Sequence, residues 1–232
     1  MIYVLSDVHG QETKYRAMLE EIRFRPADTL YVLGDVLDRG PEPMKILRDM
    51  MSRPNVVPIL GNHEFTAAYC LRFLLKEITE DAIAELDDIQ WAALEEWFLN
   101  GGRATLSAFQ RLSPEERLDI WDYLNEFSLY EEVSIGSKDY LLVHAGLENF
   151  SPDRPLEDYA LDELIFGRPD YSRLYYPDKY VVTGHTPTQT IPGNPAPGRI
   201  FRLNNHIAID CGCAYGGPLA ALCLDTGEEF YV

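Results

Sequence analysis

The sequence predicts an α/β fold in which two sheets pack face to face with helices outside. Three observations predict it. The first 64 residues hold three consecutive strand–loop–helix units, which argue for a parallel sheet with right-handed crossovers. Residues 65 to about 127 are rich in Leu, Glu, Trp and Ala and poor in β-branched residues, so they read as a helical insert. From Leu129 the apolar runs shorten again to strand length. The chain is therefore expected to form one domain, 1–232, with a βαβ half, a helical insert and a β-rich second half.

The elements follow in order. Residues 2–6 are an apolar run left through Asp7-Val8-His9-Gly10. Tyr15, Met18, Leu19 and Ile22 fall near helical spacing, predicting a helix over 12–22. Pro26-Ala27-Asp28 turns the chain into a strand over 29–33. That strand enters Gly34-Asp35-Val36-Leu37-Asp38-Arg39-Gly40, after which Pro41 opens a helix over 42–51. A third strand over 56–60 leaves through Gly61-Asn62-His63-Glu64.

The helical stretch breaks at Asn100-Gly101-Gly102 and at Ser113-Pro114. Ser113 ahead of Glu115 and Glu116 suits a helix N-terminus. Trp91, Trp97 and Trp121 are expected in the core. Residues 129–135 and 140–143, joined at Gly136-Ser137-Lys138, predict a hairpin ending at His144-Ala145-Gly146. Residues 147–179 read as loops with a short helix near 157–165. A strand over 180–183 leaves through Gly184-His185-Thr186-Pro187. Closing strands are expected near 199–203, 206–210 and 219–224, with a last short one after Asp225-Thr226-Gly227.

Composition narrows the function. Of 232 residues, 46% are hydrophobic and 25% charged, as in ordinary globular proteins. No apolar run is long enough to span a bilayer, and the chain enters a strand where a leader would lie, so a cytoplasmic protein is expected. The net charge of −18 and the lack of a basic stripe argue against nucleic-acid binding. Cys70, Cys211, Cys213 and Cys223 show no C-x-x-C spacing and are expected reduced and packed.

The chemistry collects at strand exits, where open α/β sheets build their sites. Asp7, His9, Asp35, Asp38, Arg39, Asn62, His63, Glu64, His144 and His185 all lie there, and they include four of the five histidines. Carboxylates and imidazoles buried together need partners, which a pair of divalent cations would supply. Carboxylate, imidazole and amide oxygen ligands suit manganese, iron or zinc.

Asp7-Val8-His9-Gly10, the Gly34–Gly40 loop and Gly61-Asn62-His63-Glu64 resemble the three signature motifs of the phosphoprotein phosphatases, a family of calcineurin-like metallophosphoesterases. His144-Ala145-Gly146 and Gly184-His185-Thr186-Pro187 resemble its two remaining histidine motifs. The resemblance implies a four-layer αββα sandwich of two mixed sheets. It implies one cation held by Asp7, His9 and Asp35, and another by Asp35, Asn62, His144 and His185, with manganese the foremost candidate. It further implies in-line attack on phosphorus by a hydroxide between the ions. His63 would protonate the leaving oxygen, Asp38 would orient His63, and Arg39, Arg168 and Asn62 would hold the phosphate. Glu64 would orient other groups.

The implied activity is dephosphorylation of phosphoserine or phosphothreonine in a protein or peptide partner. Two alternatives stand beside it. Symmetrical diadenosine tetraphosphate hydrolases share the pattern, though they usually carry Asp in place of Glu64 and lack a counterpart of Asp38. An inactive phosphate-binding scaffold would keep the fold without the chemistry. Leu60 stands where bacterial relatives often have arginine. His206 matches no motif and is expected at the surface. Asp210 ends a strand without an assigned role.

Overall fold

The computed structural model describes residues 1–75 and 86–232; part of the predicted helical insert lies outside them. In chain order the main elements are β1 (Ile2–Leu5), α1 (Glu12–Glu21), β2 (Thr29–Val32), α2 (Pro43–Met51), β3 (Val56–Pro58) and α3 (Asn62–Leu71). Next come α4 (Asp88–Leu99), α5 (Arg103–Phe109), α6 (Pro114–Asn125), β4 (Tyr130–Ile135), β5 (Lys138–Val143) and α7 (Leu161–Ile165). The chain closes with β6 (Lys179–Thr183), β7 (Phe201–Leu203), β8 (His206–Ala208), β9 (Ala220–Cys223) and β10 (Glu229–Tyr231).

Two mixed five-stranded sheets result. The first runs β10-β9-β1-β2-β3, with β1, β2 and β3 parallel and β9 antiparallel to β1. The second runs β4-β5-β6-β8-β7, with a parallel centre and antiparallel edges. Strand alternation sorts their side chains into layers. Val4 of β1, Leu142 of β5, Val182 of β6 and Leu222 of β9 fill the space between the sheets. Tyr3 and Leu5, the neighbours of Val4, face the other way onto Tyr15 and Met18 of α1. Leu141 and Val143 face out from the second sheet onto Leu164 and Ile165 of α7. The order helix–sheet–sheet–helix is the expected α/β sandwich.

The hairpin falls where expected, with Lys138 already in β5. Ser113 caps α6 in a reciprocal pair with Glu116, as its spacing predicts. All four cysteines are free and buried. The third and closing strands are shorter than predicted; after β3 only Ile59 continues, in an isolated bridge to Ser128.

Two burial expectations are corrected. Trp91 is 41% exposed, as are its helix mates Ile89 and Leu99 to greater degrees. Apolar residues lie all around α4, so its sequence selects no inward face, and Leu94 and Trp97 are the ones buried. His206 is 1% exposed, not a surface residue. The β7–β8 turn is covered by the preceding loop, because Asn204 donates to Tyr171 O and Asn205 to Tyr176 O. Among the described residues no helix is long and apolar enough to cross a membrane.

Candidate metal centre

The site is built from loops in an uncommon backbone conformation. Asp7, His9, Asp35, Asp38, Arg39 and His185 all have φ between 45° and 66°. L-residues visit this left-handed region rarely, and such outliers concentrate at functional sites. Adjacent loops hold one another in it. Asp7 N–H donates to Gly34 O, His9 N–H to Asp35 O and Gly10 N–H to Val36 O. Glu64, in the first turn of α3, then accepts from three successive amides: Asp35 (2.7 Å), Val36 (2.8 Å) and Leu37 (2.9 Å). Close approach requires glycine at two points. A Cβ on Gly61 would lie 2.4 Å from Asp35 Oδ1, and one on Gly184 would lie 2.3 Å from Asp7 Oδ2.

These loops place Asp35 between two groups of nitrogen donors. Its Oδ2 lies 3.6 Å from His9 Nε2 and 3.8 Å from His63 Nε2, while its Oδ1 lies 3.4 Å from His144 Nε2. His144 Nε2 and His185 Nδ1 each lie 3.0 Å from Asn62 Oδ1. His9, Asp35 and His63 thus form one cluster and Asp35, His144 and His185 another, with all ligand atoms in each within 4.8 Å of one another. The second cluster brings together three residues of the expected set, with Asn62 beside the two imidazoles. In the first, His63 stands beside His9 and Asp35 in place of Asp7. The Asp7 carboxylate is turned instead to accept His185 N–H at 3.0 Å, although it still lines the cavity.

The donor chemistry fits cations. His9 Nδ1 donates to Leu37 O and His144 Nδ1 to Leu33 O, at 2.9 and 2.6 Å. Each bond leaves Nε2 unprotonated, the tautomer a metal ligand needs. In this structure Arg39 donates to His9 Nε2 (2.7 Å) and His63 Nε2 (3.0 Å). The tyrosine ring of Tyr215 lies against the Arg39 guanidinium, 5.1 Å from its centre.

Charge and burial act together. Burial lowers the pKa of His9 and His185 to about 3, so both imidazoles are neutral donors. Burial opposes ionisation of Asp35, but the imidazoles of His144, His63, His9 and His185 outweigh it and hold the carboxyl below its usual range. Burial, then Asp210 and Asp35, push Asp7 up. Burial and Asp35 raise Glu64 to about 7, against the pull of its amide donors. Burial disfavours a charged His63, yet Asp35 and Asp38 raise its pKa. His63 Nδ1 is 2.6 Å from Asp38 Oδ2. Asp38 is itself clamped by Trp97 Nε1 (3.0 and 3.1 Å) and by the Thr105 hydroxyl (2.6 Å).

A cavity of about 320 Å³ opens over the clusters. Asp7, Asp35, Arg39, Asn62, His63, Arg168 and His185 line it. Arg168 is held by donating to Thr186 Oγ1 at 2.9 Å. Four residues went unassigned from sequence. Trp97 and Thr105 clamp Asp38, while Asp210 and Tyr215 line the cavity. For Asp210 and Tyr215 a signal existed, because both lie at the exit of a closing strand, in a glycine-rich loop.

The chain is 27% identical to the symmetrical bis(5'-nucleosyl)-tetraphosphatase of Chromobacterium violaceum, over 99% of this chain and 94% of that protein. It is 26% identical to serine/threonine-protein phosphatase 2 of Salmonella typhimurium, over 72% of this chain and 67% of the relative. It spans less than half the length of several other symmetrical bis(5'-nucleosyl)-tetraphosphatases that it matches. A crystal structure of a candidate diadenosine tetraphosphatase superposes with a TM-score of 0.69 at 18% identity, over 100% of this chain and 92% of the other. The profile of the calcineurin-like phosphoesterases matches residues 1–217, which include every residue placed in the centre above. The chain belongs to the calcineurin-like phosphoesterase family.

Proposed function

We propose that the chain hydrolyses a phosphoanhydride of a bis(5'-nucleosyl) tetraphosphate. The observation that carries this is the union of a charged cavity over the clusters with a larger neighbour. The cavity over the two Asp35-sharing clusters is walled by Arg39 and Arg168, and Arg168, Pro187 and Tyr215 also wall a second cavity of about 820 Å³. A polyphosphate with organic ends uses both spaces. The identity to the Chromobacterium violaceum protein over nearly all of both chains supports this substrate over a phosphoprotein.

Two divalent cations sharing Asp35, one also beside His9 with Asp7 on the same cavity wall and the other beside Asn62, His144 and His185, would supply Lewis acidity and an activated water. Arg39 and Arg168 bind phosphoryl oxygens, where a planar guanidinium fits. His63, its Nδ1 fixed by Asp38, would present a proton at Nε2 to the leaving oxygen once the Arg39 guanidinium, which donates to Nε2 in this structure, turns to the phosphate.

The His63–Asp38 pair also favours a second reading. An alkoxide leaving from phosphoserine needs a proton more than a departing phosphate does, so a clamped imidazole suits a phosphoprotein substrate. Turnover of diadenosine tetraphosphate and of a phosphoserine peptide, each with manganese, separates the readings. The expected result is a kcat/KM at least about tenfold higher on the dinucleotide, a difference of ~1.4 kcal/mol. A peptide preference would reverse the order, and no turnover of any phosphate with any divalent cation would leave a phosphate-binding scaffold.

A further inference from the structure

We propose that the larger cavity is a nucleoside subsite, which takes the base and sugar of a substrate whose phosphates lie at the metal centre. The inference rests on the dinucleotide reading above and adds where one organic end goes.

The cavity measures about 820 Å³, within the range of small-ligand pockets. Its walls differ from those of the metal centre. Tyr171, Ile191 and Pro187 contribute flat or apolar surface, and among the described residues no carboxylate lines it. Such walls suit an uncharged heterocycle, which stacks on aromatic and proline surfaces whatever its base. One amide is placed for a base edge: Gln189 is anchored by donating Nε2 to Cys211 O at 2.8 Å and lines the same cavity.

The boundary decides the class of ligand. Arg168 faces both cavities, and its guanidinium is fixed on Thr186 Oγ1. A molecule crossing this boundary must be anionic at Arg168 and Arg39 and neutral and flat beyond them. Tyr215, 68% exposed, stands at the same boundary with Arg39 against its ring. A nucleoside polyphosphate has this order of parts. Inorganic polyphosphate and p-nitrophenyl phosphate lack the nucleoside and would leave the larger cavity empty.

The test narrows the cavity from its rim. Thr190 is exposed at the rim, away from the metal centre. KM values of the unsubstituted 232-residue chain with manganese and of Thr190→Trp would be compared on diadenosine tetraphosphate, inorganic tripolyphosphate and p-nitrophenyl phosphate. The expected result is a KM on the dinucleotide raised by about tenfold or more, the loss of one stacked base. KM on the two substrates without a base should stay within about twofold. An unchanged dinucleotide KM, with p-nitrophenyl phosphate turnover intact, would overturn the subsite and leave the dinucleotide reading standing. Failure of the unsubstituted protein to hydrolyse the dinucleotide would overturn both. Should Thr190→Trp lose p-nitrophenyl phosphate turnover, Pro192→Trp, on the same exposed rim, is measured against the same criteria.

Discussion

Removing the Glu64 carboxylate should loosen the whole centre. Glu64 is fully buried and accepts the N–H groups of Asp35, Val36 and Leu37. In Glu64→Ala all three amides lose their partner. A buried donor left unsatisfied costs about 1–3 kcal/mol, so three cost roughly 3–9 kcal/mol, toward the lower end if water enters the vacated space. Glu64→Gln keeps the shape. Its carbonyl oxygen can serve Val36 and Leu37, which share Oε1, but its NH₂ then meets the Asp35 N–H donor to donor. One orphaned amide and a lost charge-assisted bond cost about 2 kcal/mol. At roughly 2–4 °C per kcal/mol for a chain of this size, Gln should lower Tm by roughly 4–8 °C and Ala by more. Calorimetric melting in EDTA measures this without a contribution from bound ions. Titration with manganese then shows whether the displaced Asp35 loop binds ions more weakly. An Ala variant that melts within about 2 °C of the parent protein would refute the reasoning, since it would mean that water or backbone shifts satisfy all three amides freely.

Three further outcomes are expected. Asp38→Asn should lower kcat by about 10²–10⁴-fold on an alkyl phosphate, and by much less on p-nitrophenyl phosphate, whose leaving group needs little proton transfer; equal losses on both would assign Asp38 to folding alone. Saturating manganese should raise Tm by roughly 5–10 °C, equivalent to ~2.7 kcal/mol at a hundredfold excess over Kd, and Asp35→Asn should abolish most of the rise and lose at least one ion by elemental analysis. His206 gives a pH dependence. Burial lowers its pKa to about 3, so between about 3 and 6.5 the unfolded chain binds a proton that the folded chain refuses. Its stabilising share is complete above about 6.5 and is lost as the pH falls, by ~2 kcal/mol at pH 5. In EDTA, the stability lead of the parent protein over His206→Asn should shrink by that amount from pH 7 to 5; a constant lead would show that water reaches His206 Nδ1, which has no hydrogen-bond partner among the described residues.

Much of the fold and of the centre was legible because the site occupies strand exits. An apolar run followed by Gly, Asp, His or Asn marks such an exit from local sequence alone, and β1, β2, β5 and β6 each end in one. What stayed hidden depends on contacts between distant segments. Trp97 sits in an apolar helix and reads as packing, yet its indole N–H reaches Asp38, 59 residues away. Thr105 is an ordinary helical threonine until the same carboxylate meets it. His206 looks exposed beside a polar turn, and only the loop that bonds Asn204 and Asn205 buries it. The spacing of Asp7 and His9 lets both turn inward. It does not show that the peptide N–H of His185 will hold the Asp7 carboxylate.

The backbone conformation of the centre gives these contacts their purpose. Holding a bulky residue such as His9, Arg39 or His185 at positive φ costs on the order of 1 kcal/mol or more, and six residues of this centre share that conformation. Bound ions would offset such strain only after loading. The loops carry their own compensation: amide-to-carbonyl bonds between the Asp7–Gly10 and Gly34–Val36 segments, the Gly101 carbonyl accepting Arg39 N–H, and the Glu64 carboxylate beneath three amides. Those bonds run between segments of the chain itself, so the loops that carry the donors around Asp35 are braced by the protein's own groups. The carboxylate of Glu64 is engaged by the amides of Asp35, Val36 and Leu37. Through the Asp35 N–H it braces the loop from which Asp35 faces both histidine clusters.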